Sequence, residues 1–382
     1  MLDQSDQTEL RYGPRDVTFM GQALAVAERG LGLTPPNPMV GAVVVANGDV
    51  VGEGWHEGPG TPHAEIHALR AAGEGARGAT LYVTLEPCCH FGRTPPCAPA
   101  VRDAGVTRVV AAMRDPNPQV DGGGFEVLSA AGIEVVQGVL EARATALNPG
   151  FVKYWRSPLP FVTLKMAASL DGKVAARDGS SRWITGPDAR EDVHRLRAAS
   201  GAVMVGAGTA LADDPSLTVR IEGYRGRQPL RVLVDAAGRV PAGGALFDGK
   251  APTIVATTES GRAAWPAWSG AGAEVLVVPG APGGEVRLKK LLEHLSESCR
   301  IQDVLIEGGP TLAWSAVKAG LVDRFVLYLA PVLLGGRKAP GVLGGRGMET
   351  IAEAVRMNIV SVERVGQDIK VVAEVGDVHR DH

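Results

Sequence analysis

Four residues in the first third of the chain have the types and the spacing for hydrolysis at a metal. His63 and Glu65 stand two apart in "TPHAEIHALR", and Cys88 and Cys97 bracket "LEPCCHFGRTPPC" about twenty residues on. Zinc takes Cys and His ligands in a tetrahedron, and a catalytic zinc keeps one position for water. His63, Cys88 and Cys97 supply three ligands. Glu65 is too close to His63 for a comfortable fourth, yet is placed to take a proton from activated water. A structural zinc completed by Cys89 or His90 is the alternative, and it leaves Glu65 idle. A His63/His67 pair on one helix face is a second alternative.

A second set of residues suits nucleotide chemistry. "VGAGTA" (Val205 to Ala210) and "LIEGGPTL" each follow an apolar run with glycines and open a helix, so free backbone N–H groups at Gly308 and Gly309 can hold a phosphate. The first turn lacks a full Gly-x-Gly-x-x-Gly fingerprint and is weak evidence by itself. Arg197 and Arg220 are of the type that reads phosphate bidentately, although Arg197 in "HRLRAA" also suits a surface salt bridge. Trp183 suits a core position as well as a cofactor wall, Asp213 can belong to a turn, and Thr257 can merely end a strand.

These groups need elements to hold them. Residues 16–27 have helical spacing with Asp16 as N-cap. "VGAVVVANGDVVGEGW" reads as a hairpin about Asn47-Gly48. Helix, strand, helix, strand, helix, strand follow, from His63 to "IEVVQGV". This alternation is α/β. The expected domains are 16–146, a linker at 147–160 rich in Pro and Gly, and 161–375. The second half opens on the strand "FVTLKMAAS", alternates again, and closes on a long apolar strand, "RFVLYLAPVLLGG". Residues 1–14 read as a loose tail.

Bulk properties narrow the class. The chain has 382 residues, 45% apolar and 21% charged, with a formal net charge of −3. That length favours two domains, and that charge gives no reason to expect nucleic acid as a partner. No run approaches the roughly 20 apolar residues of a membrane span. Three of the four cysteines lie at 88, 89 and 97, which in a reducing cytoplasm points to a metal or catalysis before a disulfide.

A His-x-Glu followed by Pro-Cys and a second Cys is the signature of zinc nucleobase deaminases. The longer string "NPMVGAVVV…GEGWH…HAE…TLEPCCHFGRTPPCAPAV" resembles the deaminase half of the bifunctional riboflavin-biosynthesis family across residues 16–146. There the cysteine separation departs from the usual two residues. "LKMAASLDGKVA", "SRWITG", "VGAGTALADDPSLTVR" and "LIEGGPTL" resemble its reductase half across about 159–373. The resemblance implies a cytidine-deaminase-like three-layer domain followed by a dihydrofolate-reductase-like α/β domain. It implies one zinc per chain and NADPH, and a cytoplasmic enzyme acting on a small pyrimidine ribotide. It also implies a homodimer or homotetramer with contacts through the reductase half. Carried over position by position, it puts Asn37 on the base and His90 at the substrate, with Arg93 in the same loop. Ala167, Trp183, Thr209, Asp213, Thr257, Gly308 and Gly309 fall on the cofactor, and Ser181, Arg197, Leu217, Arg220 and Glu307 on the second substrate. Lys165 and Asp171 lie near the nicotinamide. An RNA- or DNA-editing deaminase and a non-catalytic zinc scaffold are the rival classes. The charge opposes the first, and the carboxylate of Glu65 opposes the second.

Overall fold

A computed structural model describes residues 12–281 and 283–376. The chain forms two compact units, divided between Arg156 and Ser157. The expected tail lies outside the described residues up to residue 11.

The first unit runs α1 (Pro14–Ala27), β1 (Gly41–Ala46), β2 (Asp49–Trp55), α2 (Ala64–Ala72), β3 (Thr80–Val83), α3 (Cys97–Asp103), β4 (Arg108–Ala111), α4 (Gly123–Ala130), β5 (Glu134–Val136), α5 (Glu141–Leu147) and α6 (Pro149–Tyr154). Its sheet has the order β2-β1-β3-β4-β5, antiparallel on either side of β1 and parallel from β3 to β5. Side chains alternate across it, as strand geometry requires. Val43 and Val45 join Met20, Leu24, Phe151 and Val152 on one face. Ala42 and Val44 join Ala64, Ala68, Val101 and Leu128 on the other. The result is three layers. The stretch 147–160, read from sequence as a linker, carries α6, whose Phe151 and Val152 are core residues of this unit.

Two local details depend on particular residues. Asn47 and Gly48 both adopt positive φ, 54° and 91°, and close the β1–β2 hairpin as the sequence implied. Asp16 is not the N-cap of α1. Gly13 holds that place, and Asp16 reaches back from the third helical position to accept the Gly13 N–H at 3.0 Å. The Asp16 carboxylate also accepts from Tyr82 and from both ends of the Arg108 guanidinium, so its real task is to tie α1 to β3 and β4.

The second unit runs β6 (Phe161–Ser169), α7 (Pro187–Ala198), β7 (Ala202–Gly206), α8 (Ala207–Asp213), β8 (Leu230–Val234), β9 (Thr253–Thr257), α9 (Trp265–Gly270), β10 (Glu274–Val277), α10 (Leu288–Glu297), β11 (Asp303–Ile306), α11 (Pro310–Lys318), β12 (Arg324–Ala330), β13 (Met357–Val365) and β14 (Asp368–Val375). Nine strands form one sheet, β10-β9-β8-β7-β11-β6-β12-β14-β13, parallel from β10 to β12 and antiparallel beyond. Ala202 and Met204 face a core with α10 and α11, and Val203 and Val205 face one around the fully buried Trp268. The long apolar strand expected from Arg324 onward ends at Ala330, because Pro331 has no N–H for the ladder. The β13–β14 hairpin was not read from the sequence: its exposed Ile359, Val360 and Val362 blur the alternation that marks a half-buried strand.

Candidate active sites

The first site lies where α2 and α3 begin. Gly52 and Gly54 allow α2 to rest directly on β2: a Cβ on Gly54 would stand 2.4 Å from the Ala64 carbonyl oxygen. That contact fixes the start of α2, where His63 is the N-cap and Glu65 lies in the first turn. Glu86, two residues before Cys88, fixes the other half. Its buried carboxylate accepts N–H groups from Asp115, Gly122, Gly124 and Phe125, which binds the Pro87-Cys88 step to the loop before α4. The reading from sequence passed over Glu86 because a lone glutamate before Pro-Cys carries no motif.

The triad meets. The ligand atoms of His63, Cys88 and Cys97 lie within 4.8 Å of one another. His63 Nδ1 stands 3.5 Å from Cys88 Sγ and 3.3 Å from Cys97 Sγ. The insertion between the cysteines loops out while its ends stay closed: Cys97 N–H points at Cys88 Sγ at 3.3 Å, and Ala98 N–H donates to the Cys88 carbonyl at 3.1 Å. Zinc fits this donor set of one imidazole and two thiols. The hydrogen bond with Cys97, aided by His63, lowers the Cys88 thiol to about 4, against the opposing effect of burial. The shared bond and burial push the Cys97 thiol up. Glu65 is buried beside them, and burial, then the charge of Cys88, raises its carboxyl to about 7.

Around the triad, Thr94 Oγ1 lies 3.2 Å from His63 Nε2. With Nδ1 turned to the sulfurs, Nε2 carries the proton and donates to Thr94, which fixes the ring. Asn37 donates from Nδ2 to His56 Nε2 at 2.9 Å, and the His56 ring stands edge-on to that of His63 at 5.4 Å. Burial, then His63, lowers the pKa of His56 and keeps it a neutral acceptor. His90 lies in the inserted loop with Nδ1 buried and without a hydrogen-bond partner, while Arg93 is exposed. Cys89 turns away from the triad toward the Gln119 carbonyl. His67 stands outside the metal-type group, so the alternative His63/His67 pair is not formed.

The second site is a cavity of about 1210 Å³ at the carboxyl ends of the parallel strands of the second unit. It collects Ala167, Trp183, Thr209, Asp213, Gly308 and Gly309, all expected at the cofactor. Ser181, Arg197, Leu217, Arg220 and Glu307, expected at the substrate, line the same cavity. Thr257 does not: it is fully buried, with its hydroxyl directed at the Ala236 carbonyl, and Ala236 lines the wall instead. Asp171 is also outside; it accepts from Ser169 and from the N–H groups of Leu334 and Gly335.

Glycine is required at the turn before α11. A Cβ on Gly309 would meet Thr209 Oγ1 at 2.8 Å, and one on Gly308 would meet Leu312 at 2.9 Å. The cleft between the two glycine turns is thus shaped for a close-lying group such as a pyrophosphate. Trp183 is 70% exposed and stacks beneath the Arg190 guanidinium at 4.7 Å, so it is a wall rather than core. Leu217 lines the cavity with a φ of 53°, a conformation that costs a Leu energy and tends to persist at functional positions.

The charge arrangement differs from the bland surface reading of Arg197. Its guanidinium is buried and binds Glu307 bidentately at 2.6 and 3.0 Å, with a third bond to the Thr218 carbonyl. Burial alone would raise Glu307, but Arg197 and then Lys165 hold it below the usual carboxylate range. Lys165 is lowered, first by burial and then by Arg197, against the pull of Glu307. It sits over the Tyr328 ring at 5.9 Å. His194, a lining residue not foreseen, accepts the Arg220 backbone N–H on Nδ1 at 3.2 Å.

Comparison with known proteins finds relatives for both units. Residues 14–113 match the cytidine and deoxycytidylate deaminase zinc-binding region, and residues 160–371 match the RibD C-terminal domain. The riboflavin biosynthesis protein RibD of Escherichia coli strain K12 is 44% identical over 366 residues, covering 93% of this chain and 98% of its own. That of Aquifex aeolicus strain VF5 is 44% identical over 355 residues, covering 93% and 97%. Among solved structures, Acinetobacter baumannii RibD, form 1, superposes with a TM-score of 0.83 at 42% identity, covering 95% of this chain and 99% of that one. A Thermotoga maritima diaminohydroxyphosphoribosylaminopyrimidine deaminase/5-amino-6-(5-phosphoribosylamino)uracil reductase gives 0.84 at 36% identity with the same coverage. The chain belongs to the RibD family of bifunctional riboflavin-biosynthesis enzymes, a zinc-dependent deaminase joined to an NADPH-dependent reductase.

Proposed function

We propose that the first unit deaminates 2,5-diamino-6-(5-phosphoribosylamino)pyrimidin-4(3H)-one to 5-amino-6-(5-phosphoribosylamino)uracil, and that the second reduces the ribosyl group of that product to ribityl. One observation carries the reading: each unit sets a proton carrier beside groups suited to bind, Glu65 beside the triad and Lys165 in the cavity with the Arg197–Glu307 pair.

His63, Cys88 and Cys97 would hold the zinc, which when bound supplies the Lewis acidity that makes water nucleophilic near neutral pH. Glu65 takes one proton from that water and gives it to the ring nitrogen, then takes the second from the newly added hydroxyl and gives it to the departing amine, so ammonia leaves and a carbonyl remains. Its raised pKa suits both halves of this transfer. Asn37, held by His56, and His90, with an unpartnered Nδ1, contact the base.

In the second unit, Gly308 and Gly309 would hold the cofactor pyrophosphate, and Ala167, Trp183, Thr209 and Asp213 would line the same site. NADPH, when bound, would supply the hydride. Net reduction adds that hydride at C1′ and a proton at the ring oxygen as the C1′–O4′ bond breaks. Lys165, lowered by burial, gives the proton. Arg220, exposed in the cavity, clamps the substrate phosphate, whereas Arg197 chiefly holds Glu307 in place. Ser181, Leu217 and Glu307 complete the substrate wall.

The partner of the enzyme is a small molecule; among the described residues no helix is long and apolar enough to cross a membrane, and the net charge of −3 does not favour nucleic acid. We place the reactions in the cytoplasm, which suits the unpaired thiols of the triad. Self-association to a dimer or tetramer would use β13, an edge strand with Ile359, Val360 and Val362 exposed by 69%, 59% and 61%.

The test is one assay on the purified protein, with zinc content, ammonia release and NADPH absorbance followed together. About one zinc per chain, with ammonia released before NADPH is consumed, is the expected result. Bound zinc without ammonia would overturn the deaminase assignment, and ammonia without NADPH oxidation would overturn the reductase one.

A further inference from the structure

We propose that Arg239 reads the 2′-phosphate of the cofactor and so gives this chain its preference for NADPH over NADH. The inference rests on the reductase reading above and adds to it a residue that selects the cofactor. The cavity follows the carboxyl ends of four adjacent strands in the order β6, β11, β7, β8. Lys165 belongs to β6, Gly308 follows β11, Gly206 ends β7, and Val234 ends β8, with Ala236 and Arg239 just beyond. Three strand spacings separate β6 from β8, roughly 14 Å. The reacting groups lie at the β6 end and the pyrophosphate cradle at the Gly308 turn. An extended dinucleotide crossing that cradle therefore directs its adenosine toward β7 and β8.

Arg239 is the lining cation at that far end, and the loop that carries it is built. Asp235 has a fully buried side chain, and its Oδ2 accepts the Val240 N–H at 2.7 Å, closing the loop across Gly238. Gly238 adopts a φ of 72°, and a Cβ there would press on the Gly261 carbonyl oxygen at 3.0 Å. The buried Oδ1 of Asp235 accepts no hydrogen bond among the described residues and faces Arg239 Nε at 4.0 Å. The guanidinium is thus steered by one edge while its side chain remains 59% exposed, with the two terminal nitrogens available for a bidentate pair with a phosphate dianion. The other lining arginines have other tasks: Arg197 binds Glu307, Arg182 and Arg190 lie against Trp183, and Arg220, beside Thr218, is assigned above to the substrate phosphate. NADPH and NADH differ only in the group that Arg239 would meet.

The experiment compares wild type with Arg239→Gln and Arg239→Lys. Calorimetry measures binding of 2′,5′-ADP and of 5′-AMP, and kinetics gives kcat/KM with NADPH and with NADH. For Arg239→Gln, 2′,5′-ADP affinity and kcat/KM for NADPH should each fall by about 10- to 100-fold, the effect of losing one charged hydrogen-bonded pair. 5′-AMP and NADH should change by less than about 2-fold, and Arg239→Lys should fall between, since it keeps the charge but not the fork. Equal losses for both dinucleotides would make Arg239 an unspecific wall, and no loss with either would remove it from the site; either overturns the proposal. Wild-type protein that binds no 2′,5′-ADP and oxidises neither dinucleotide would instead defeat the reductase reading and this inference with it. Ammonia release and thermal melting, measured on each variant, separate these outcomes from misfolding.

Discussion

The two sites are assembled in opposite ways. The deaminase site draws His63, Glu65, Cys88 and Cys97 from one short stretch, and two helix starts on one sheet bring them together. The reductase site draws its wall from Lys165 to Glu307 and beyond, along the ends of four strands. The first relies on a few direct bonds between reacting groups. The second relies on many residues that each contribute shape or one charge. A site of the first kind should fail abruptly when one group is changed; a site of the second kind should lose binding by degrees.

The largest effect is expected at Glu65. Glu65→Gln should lower deamination by about 10³-fold, within the range for loss of a general acid–base. Zinc content and NADPH-dependent reduction of the aminouracil ribotide should remain. A loss of less than about tenfold would mean that the buried carboxylate is not the proton carrier, and the contrast between the sites would collapse. Cys97→Ala should come next: zinc measured after gel filtration should drop well below one per chain, with ammonia release falling in step, because a buried ligand to the metal is gone.

Gly309→Ala tests the other pattern. The added methyl must displace Thr209, so KM for NADPH should rise by about tenfold while ammonia release stays at the wild-type rate. A complete loss of reductase turnover would show that this site, too, depends on single groups.

Asp16→Asn probes the frame of the first unit. Burial would raise the Asp16 pKa, but its bonds from Arg108, the Gly13 N–H and Tyr82 override that and hold it below the ordinary value. A carboxyl lowered in the folded state stabilises it above the unfolded pKa, near 3.9, and that contribution is lost as pH falls through the native value. The variant should be less stable by about 2 kcal/mol at pH 7, by urea unfolding. The difference from wild type should close as the pH is taken below about 4. A difference independent of pH would assign the effect to packing instead. The smallest effect is expected for Thr257→Val, which should alter KM for NADPH by less than about 2-fold, since the hydroxyl only supports the Ala236 carbonyl from behind the wall at 3.4 Å.

Legibility in the sequence follows the same division. The triad and Glu65 were readable because metal ligation demands particular residue types, and short spacing kept them in one motif. The hairpin was readable because Asn47-Gly48 accepts positive φ at both positions. The reductase residues were reached through family likeness, and there the reading placed Thr257 at the cofactor although the fold turns it inward. Glu86, His56 and Thr94 were missed as site supports. Each acts through a backbone or ring that lies far along the chain, and their residue types are common in loops.

Amino-acid sequence alone determined the α/β class, the two-part organisation, the cluster of metal-type ligands and the carboxylate beside it, since these follow from local periodicity and from the chemistry of a few side chains. Tertiary structure decided which charges face one another. It joined Arg197 to Glu307 across 110 positions, set Lys165 beside them, and placed Arg239 at the far end of the cavity. It also turned Asp16 from a presumed cap into a tie across three elements. Such pairings depend on strand order in the sheet, and strand order is set by long-range packing that no short window of sequence contains.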